Sequence, residues 1–159
     1  VRLGPVCCAC LPPHFTDHFV AYAARPLTLK GGWDSLKQTS LNVDYVLGAA
    51  KTELELMARV PSAPSPAVRS SECGLPKLQP GRSDVFVQVE SAIELLLQKP
   101  EFQGKDIRKV GVMEAAEGYA YLHVKHKALL TPLAQALAAM HGDGTTVRLR
   151  RQAASDEAQ

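Results

Sequence analysis

Aromatic and basic side chains recur at every second position in two segments of the second half of the chain, 119–125 and 148–150, and Phe86 lies on a third alternating segment. Aromatic rings can stack on unpaired bases at about 1–3 kcal/mol per base, and cationic side chains can neutralise phosphates. On one face of a sheet, such side chains would form a surface that binds single-stranded RNA. The residues predicted to do so are Phe86, Tyr119, Tyr121, His123, Lys125, Arg148 and Arg150.

Cysteine and histidine side chains near the start of the chain have the chemistry of metal ligands. Two residues separate Cys7 from Cys10, a spacing found in zinc sites. His14 follows after only three residues, whereas a zinc-finger loop has roughly 12. The adjacent Cys7 and Cys8 cannot easily both point towards one ion, and His18 lies beyond the group. The spacing therefore predicts no metal site and no cofactor.

Carboxylates at the ends of predicted strands are the other groups that could do acid–base chemistry. Asp106, Glu114 and Glu117 surround a predicted hairpin, where charged side chains are commonly solvated. No serine or cysteine lies in a context that would activate it as a nucleophile. The sequence therefore predicts a binding module rather than an enzyme.

Periodicity predicts the elements that would position the aromatic and basic residues. Alternating apolar residues indicate strands, and apolar residues three and four apart indicate helices. The predicted strands and helices follow the order β-α-β-β-α-β, at 84–90, 91–99, 107–114, 119–125, 128–140 and 145–151. This order is typical of an α+β, ferredoxin-like fold, a four-stranded antiparallel sheet with both helices on one face. Residues 84–98 also fit a single helix capped by Ser83, and that alternative stays open.

The first half of the chain is patterned less clearly. Residues 1–60 form an N-terminal extension in which apolar spacing predicts one amphipathic helix at 42–59. Residues 61–82 are rich in Pro, Ser and Gly, which predicts a linker or long loop. The ferredoxin-like domain is assigned to residues 83–151, and a frayed polar tail to 152–159.

A family resemblance supports the RNA interpretation. Residues 117–124, with the sequence EGYAYLHV, resemble the third-strand motif of the RNA-recognition motif (RRM) family, with Tyr119 and Tyr121 at its stacking positions. Residues 85–87 are similar to the start of the family's first-strand motif. Residues 104–107, GKDI, are similar to the RRM-like C-terminal domains of some DEAD-box RNA helicases. The resemblance implies a sheet whose open face binds single-stranded RNA within an RNA-processing protein.

Two other functions fit the same predicted sheet. Outward aromatic residues are often covered, so the face could bind a protein partner, the N-terminal helix or a second copy of the chain. The element order also resembles that of ACT domains, which implies a regulatory domain for a small ligand. RNA binding should weaken steeply with salt, whereas an apolar protein interface should not.

Bulk composition limits the classes of protein to consider. The 159 residues carry a net charge of +2 and are 46% hydrophobic, a normal composition for a globular protein. No apolar run approaches the roughly 18 residues that span a membrane. The four cysteines do not form a disulfide framework, which favours a reducing, intracellular compartment. Residues 1–16 lack acidic side chains, as transit peptides do, so the predicted location is cytoplasmic or organellar, in the mitochondrion or chloroplast.

Overall fold

The computed structural model describes residues 6–7, 13, 15–60 and 67–157, with the backbone alone for 6–7 and 154–157. The strands are β1 Val6–Cys7, β2 Phe15–Ala23, β3 Val43–Tyr45, β4 Val85–Val89, β5 Arg108–Gly118 and β6 Leu122–His123. The α-helices are α1 Ala50–Arg59, α2 Ser71–Gly74, α3 Glu90–Leu97, α4 Leu130–Gly142 and α5 Thr145–Glu157. Short 3₁₀ helices cover Gly32–Leu36, Leu75–Leu78, Pro100–Phe102 and Val124–Leu129.

The chain forms two compact units. The larger unit is Asp17–Ala116, and the smaller unit combines Val1–Thr16 with Glu117–Gln159. Strands β2 and β5 each begin in one unit and end in the other, so the backbone passes between the units twice. These divisions differ from the domain predicted at residues 83–151.

A mixed sheet with the strand order β3-β4-β2-β5 forms the centre of the larger unit. Strand β3 runs parallel to β4, with Val43 beside Val85 and Tyr45 beside Val87, whereas β2 runs antiparallel to β4. Alternate residues of β4 enter different apolar clusters, because Val85 and Val87 join one cluster and Phe86 the other. The sheet is therefore buried on both faces, which explains why β4 begins with successive apolar residues.

Helices and turns supply the rest of both clusters. The first cluster contains Leu36 from a 3₁₀ turn and Leu56 from α1. The second contains Leu75 and Ile93, from the 3₁₀ turn after α2 and from α3. The predicted ferredoxin-like sheet, with helices on one face and the other face open, is therefore wrong.

The sequence pattern was correct for several elements. Strand β4 and helix α3 confirm a strand followed by a helix at 84–99, and they exclude the single helix at 84–98. Helix α4 confirms the helix predicted at 128–140, with bounds two residues later. Strand β5 confirms the strand at 107–114 and continues to Gly118.

The last two predicted strands are wrong. Residues 145–151 belong to helix α5, although alternating Thr, Val and Leu residues favour a strand. A carboxylate oxygen of Asp143 accepts a hydrogen bond from the Thr145 amide at 2.8 Å, which satisfies a donor at the start of the helix. The strand predicted at 119–125 is reduced to β6, which is followed directly by a 3₁₀ helix.

The helix predicted at 42–59 is wrong over residues 42–49. Val43–Tyr45 forms strand β3 and pairs with β4, and α1 begins only at Ala50. Gly48 adopts a φ of 88°, a left-handed conformation that glycine reaches without steric cost and that interrupts a helix. The apolar spacing on which the prediction rested therefore runs across a strand, a turn and a helix.

The smaller unit contains a two-stranded sheet and the helices α4 and α5. Strand β1 pairs antiparallel with β6, with Val6 beside His123, and α4 contacts α5. None of the described side chains between residues 117 and 153 is buried. No helix in the described part of the chain has both the length and the apolarity needed to cross a lipid bilayer.

The segment predicted as a linker, residues 61–82, is only partly described. Residues 61–66 lie outside the described residues. Within the remainder, Val68 forms a parallel bridge with Val46, and α2 runs directly into the 3₁₀ turn Leu75–Leu78. Leu75 and Leu78 are buried, which fixes this part of the segment against the sheet.

Candidate functional site

The parallel pair of strands β3 and β4 defines the candidate site. Parallel neighbours have their carboxyl ends at the same edge of a sheet, and open α/β sheets bind ligands beyond that edge. Helix α1 begins at Ala50, five residues after Tyr45, and α3 begins at Glu90, three residues after Val87. Because Tyr45 and Val87 are paired, the amino-terminal ends of both helices lie beyond this carboxyl edge.

The start of α1 has no side-chain cap, although the Ala50 amide donates a hydrogen bond to the Gly48 carbonyl at 2.9 Å. The first N–H groups of an α-helix have no intrahelical acceptor, and a side chain at the N-cap position usually accepts from one of them. The N-cap here is Ala49, which has no such side chain, and no described side chain caps the helix. The first turn carries both a cation, Lys51, and a carboxylate, Glu53, and Thr52 in the same turn is buried. The helix dipole gives this end a partial positive charge that can attract an anion.

The start of α3 differs because the protein supplies its own anion. Asp17, at 8% exposure, accepts hydrogen bonds from the Ser91 hydroxyl at 2.5 Å and from the Ser91 amide at 3.4 Å. Glu90 in the first turn is paired with His18, with 3.5 Å between Oε2 and Nδ1, and with Lys109. At the sheet edge where β3 and β4 end, the start of α1 therefore has no capping side chain, whereas the start of α3 is surrounded by carboxylates.

Lys51 is held by two carboxylates of the larger unit. Its Nζ lies 2.9 Å from Oε1 of Glu55 and 3.2 Å from Oε2 of Glu114. The same Glu114 oxygen accepts a 2.8 Å hydrogen bond from Nε1 of Trp33, the single tryptophan of the chain. The Trp33 N–H and the Lys51 ammonium hold the pKa of Glu114 below its ordinary value. Glu55 and Glu114 raise the pKa of Lys51, so its charge is retained at neutral pH.

Further ion pairs extend this group towards the 3₁₀ turn Gly32–Leu36. Glu55 also pairs with Arg59, whose Nε lies 2.8 Å from Oδ1 of Asp34. Lys37 reaches the same Asp34 oxygen at 3.1 Å. Hydrogen bonds from Arg59 and Lys37 lower the pKa of Asp34. Positive and negative groups alternate along the row, and α1 is thereby linked to the turn that carries Trp33.

The residues predicted to bind RNA do not all lie at the protein surface. Phe86 is completely buried in the larger unit, so its ring cannot stack on a base. Tyr119, Tyr121 and His123 belong to the smaller unit and are exposed. Tyr119 donates a hydrogen bond to Glu117, and Nδ1 of His123 accepts one from the amide of its neighbour Lys125 at 3.2 Å.

The predicted phosphate ligands also lie on helices rather than on a sheet. Lys125 belongs to a 3₁₀ helix, and Arg148 and Arg150 belong to α5. The guanidinium of Arg150 lies over the Phe15 ring, 5.4 Å from its centroid. Of the two predicted strands at 119–125 and 145–151, the described residues form only the short strand Leu122–His123, so these segments do not build the predicted four-stranded face.

The residues considered as metal ligands are only partly described. Cys8, Cys10 and His14 lie outside the described residues, and only the backbone of Cys7 is given. His18 is paired with Glu90. Among the described residues, no group of three or more His, Cys, Asp or Glu side chains is arranged to hold a metal ion.

Sequence comparison gives one informative relative. No protein-family model matches the chain. An uncharacterized protein of Shewanella oneidensis is 30% identical over 141 residues, which are 89% of this chain and 53% of that protein. The chain therefore spans about half the length of the curated relative it matches.

Solved structures identify the fold. The amino acid ABC transporter substrate-binding protein AbpA from Streptococcus pneumoniae, bound to L-arginine, matches with a TM-score of 0.70 and 12% identity, over 94% of this chain and 62% of AbpA. The periplasmic VFT2 domain of Bordetella pertussis BvgS matches with a TM-score of 0.66 and 20% identity, over 89% of this chain and 59% of that domain. The chain has a periplasmic-binding-protein-like fold.

This fold overturns the family resemblance drawn from the sequence. The RRM resemblance is wrong, because the matching structures have a mixed sheet with helices on both sides. Single-stranded RNA as a partner is also wrong, since the matching structures include amino-acid-binding proteins and Phe86, Tyr119 and Tyr121 are not on one sheet. Of the functions considered, binding of a small ligand agrees best with the fold, although the ACT fold is not present.

Sequence reasoning missed the residues that build the candidate site. Gly48, Ala49 and Lys51 were placed inside one helix, so the turn between β3 and α1 was not recognised. Two valines and a tyrosine around Asp44, followed by Gly48, are a strand-and-turn signal that could have revealed it. In the sequence, Glu114 stands out only as a carboxylate at the end of a predicted strand, because its partner Trp33 lies 81 residues away.

Proposed function

We propose that this chain binds a small ligand that carries a carboxylate, of the amino-acid type, at the carboxyl edge of β3 and β4. The observation that carries the proposal is the uncapped start of α1, with Lys51 in its first turn. A ligand carboxylate there would accept hydrogen bonds from the first-turn amides and would be favoured by the helix dipole.

The acidic start of α3 supports an amino acid over a simple anion. Glu90 and Asp17 lie at the same edge of the sheet as the α1 start, and Glu90 is half-buried. Glu90 also pairs with Lys109, and an ammonium group of the ligand could take the place of His18, whose 3.5 Å contact with Glu90 is an ion pair only when the imidazole is protonated. A site with one cationic and one anionic helix start complements the two charges of a zwitterion.

The matching structures favour the same class of ligand. AbpA was solved with L-arginine bound, and another matching structure is an ancestral arginine-binding protein bound to glutamine. Both are less than 25% identical to this chain, so the choice of amino acid is not carried over. The chain covers about three fifths of each, and the activity of the whole protein is part of the proposal.

The decisive experiment places a competing carboxylate at the start of α1. Ala49→Asp supplies the missing cap, and we expect it to stabilise the protein by about 1 kcal/mol while lowering ligand affinity about ten-fold or more. Ala58→Asp is the matched control, because it adds the same charge to an exposed position near the other end of α1. It should leave affinity unchanged and cost a few tenths of a kcal/mol, since a negative charge is unfavourable at a helix C-terminus.

Binding would be measured by calorimetry with the standard amino acids and with the amines that lack their carboxylates. Each ligand would be titrated into wild type, Ala49→Asp and Ala58→Asp. If an amino acid binds all three proteins equally, or if the amine binds as well as the amino acid, then the ligand carboxylate is not at the start of α1. If no amino acid binds the wild type, the ligand class is wrong.

Catalysis and compartment remain proposals. We keep the expectation that the chain is a binding module and not an enzyme, and turnover assays on any ligand that binds would test it. An intracellular location, expected from the cysteines, is likewise kept as a proposal, although the BvgS domain of the same fold is periplasmic. Fractionation of cells that express the protein would decide between these compartments.

A further inference from the structure

The Lys51–Glu114–Trp33 contact occurs beside the proposed ligand site. Lys51 belongs to the first turn of α1, yet its ammonium is directed to Glu55, one turn further along the helix, and to Glu114 on β5. Side chains on a helix ordinarily lean towards its N-terminus. The carboxylates therefore hold the cation away from the helix end where an anion would bind.

We infer that Glu114 is an internal competitor for Lys51, and that ligand binding transfers the Lys51 ammonium from Glu114 to the ligand carboxylate. This inference rests on the proposed function. It assigns Glu114 as a positioning residue that sets affinity without touching the ligand, and Lys51 as the residue that senses the ligand's negative charge.

Two observations make the transfer energetically feasible. The side chains of Lys51 and Glu114 are both more than one-third exposed, at 46% and 40%, and exposed ion pairs contribute little to stability. Glu114 also keeps its hydrogen bond from the Trp33 N–H, so its carboxylate is not left without a partner when Lys51 leaves. Releasing Lys51 therefore does not strand a buried charge.

Trp33 makes the transfer observable. Its ring is buried and its N–H is bonded to the same Glu114 oxygen that Lys51 contacts. Removing a cation from that oxygen changes the electrostatic field at the indole. We expect ligand binding to shift the emission of Trp33, and no other tryptophan contributes to the signal.

The test is a double-mutant cycle on ligand affinity. Glu114→Gln keeps an oxygen acceptor for Trp33 but removes the charge that competes for Lys51, so affinity for the amino acid that binds wild type should rise about two- to five-fold. Lys51→Met should lower affinity. In the Lys51→Met background, Glu114→Gln should have no further effect, because the competition no longer exists.

Asp34→Asn is the matched control. It removes one negative charge from the same row of ion pairs, but Asp34 contacts Arg59 and Lys37 and not Lys51. Affinity should stay at the wild-type value. If Asp34→Asn raises affinity as much as Glu114→Gln, the effect is general electrostatics and the inference fails.

The inference and the proposed function can fail separately. In ligand-free protein, Glu114→Gln and Lys51→Met should each shift the Trp33 emission, whether or not any ligand is known. Should both emission shifts be absent, the contact does not exist in solution and the inference is overturned. Should the shifts appear but affinity for the amino acid not rise in Glu114→Gln, Glu114 does not compete with the ligand. If wild type binds no amino acid at all, the proposed function fails, whereas the emission shifts still report the contact.

Discussion

Replacing Phe86 tests the corrected fold most directly, because the two interpretations assign it opposite environments. In the structure its ring is 0% exposed and belongs to the cluster that contains Leu75 and Ile93. A Cβ added to Gly74 would lie 2.3 Å from Cε2 of Phe86, so the ring packs directly against the backbone of α2. Phe86→Ala removes a whole ring from this contact. Such substitutions cost about 3–5 kcal/mol, since the transfer term and the remaining cavity add.

The assay is urea unfolding of wild type, Phe86→Ala and Tyr121→Ala. A loss of this size is a large share of the roughly 5–15 kcal/mol that stabilises a folded protein, so Phe86→Leu provides a milder step of about 1–2 kcal/mol if the alanine variant does not fold. Tyr121, at 62% exposure, is the aromatic control and should change stability by less than about 0.5 kcal/mol. If Phe86→Leu and Tyr121→Ala unfold at the same urea concentration as wild type, Phe86 is not a core residue and the strand order is wrong.

Two further predictions concern buried polar groups of the larger unit. Lys77→Met should destabilise the protein by about 3 kcal/mol, because it leaves the Asp44 carboxylate, 3% exposed, without the Lys77 ammonium 3.0 Å away. In urea unfolding, adding Asp44→Asn to the Lys77→Met variant should recover part of this loss. Burial, with smaller contributions from nearby carboxylates, raises the pKa of Tyr22 above its ordinary value, so the folded state keeps a proton that the unfolded state releases above about pH 10. The stability that Tyr22 contributes is thus complete below about pH 10 and is lost as pH rises beyond it. Thermal melts of wild type and Tyr22→Phe would detect this, because only wild type should lose this stability. If both proteins lose the same melting temperature as pH rises above about 10, the prediction is contradicted.

The sequence predicts elements well where local pattern and tertiary contact agree. Val85, Val87 and Val89 alternate, and β4 forms there because β-branched residues favour strands and both of its faces are buried. The sequence alone does not reveal that Phe86 is also inside. Alternation shows that a strand has two faces, but it does not show which other elements cover those faces.

The smaller unit was mispredicted for a different reason. Thr145, Val147 and Leu149 have the composition of a strand, and propensity alone favours one. The hydrogen bond from the Thr145 amide to Asp143 starts a helix instead, directly after Gly144 adopts a φ of 76°. A local cap therefore outweighs propensity differences of a few tenths of a kcal/mol per residue.

The site could not be predicted because its parts are distant in sequence. Asp17 and Ser91 are 74 residues apart, and Trp33 and Glu114 are 81 apart, yet both pairs form hydrogen bonds. Each residue alone has an ordinary explanation, as a solvated charge or a packed ring. Only the strand order, in which β4 lies between β3 and β2, brings the starts of α1 and α3 to one edge of the sheet.

Gly48 connects the fold to the proposed function. A residue other than glycine at a φ of 88° is strained, so a substitution at Gly48 would destabilise the turn between β3 and α1. A helix over 42–59 would remove β3 from the sheet, and the uncapped helix start would not exist beside β4. The turn after β3 and the uncapped start of α1 therefore both depend on the backbone conformation of Gly48. Related sites should be sought first where a glycine lies between a short parallel strand and a helix without a capping side chain.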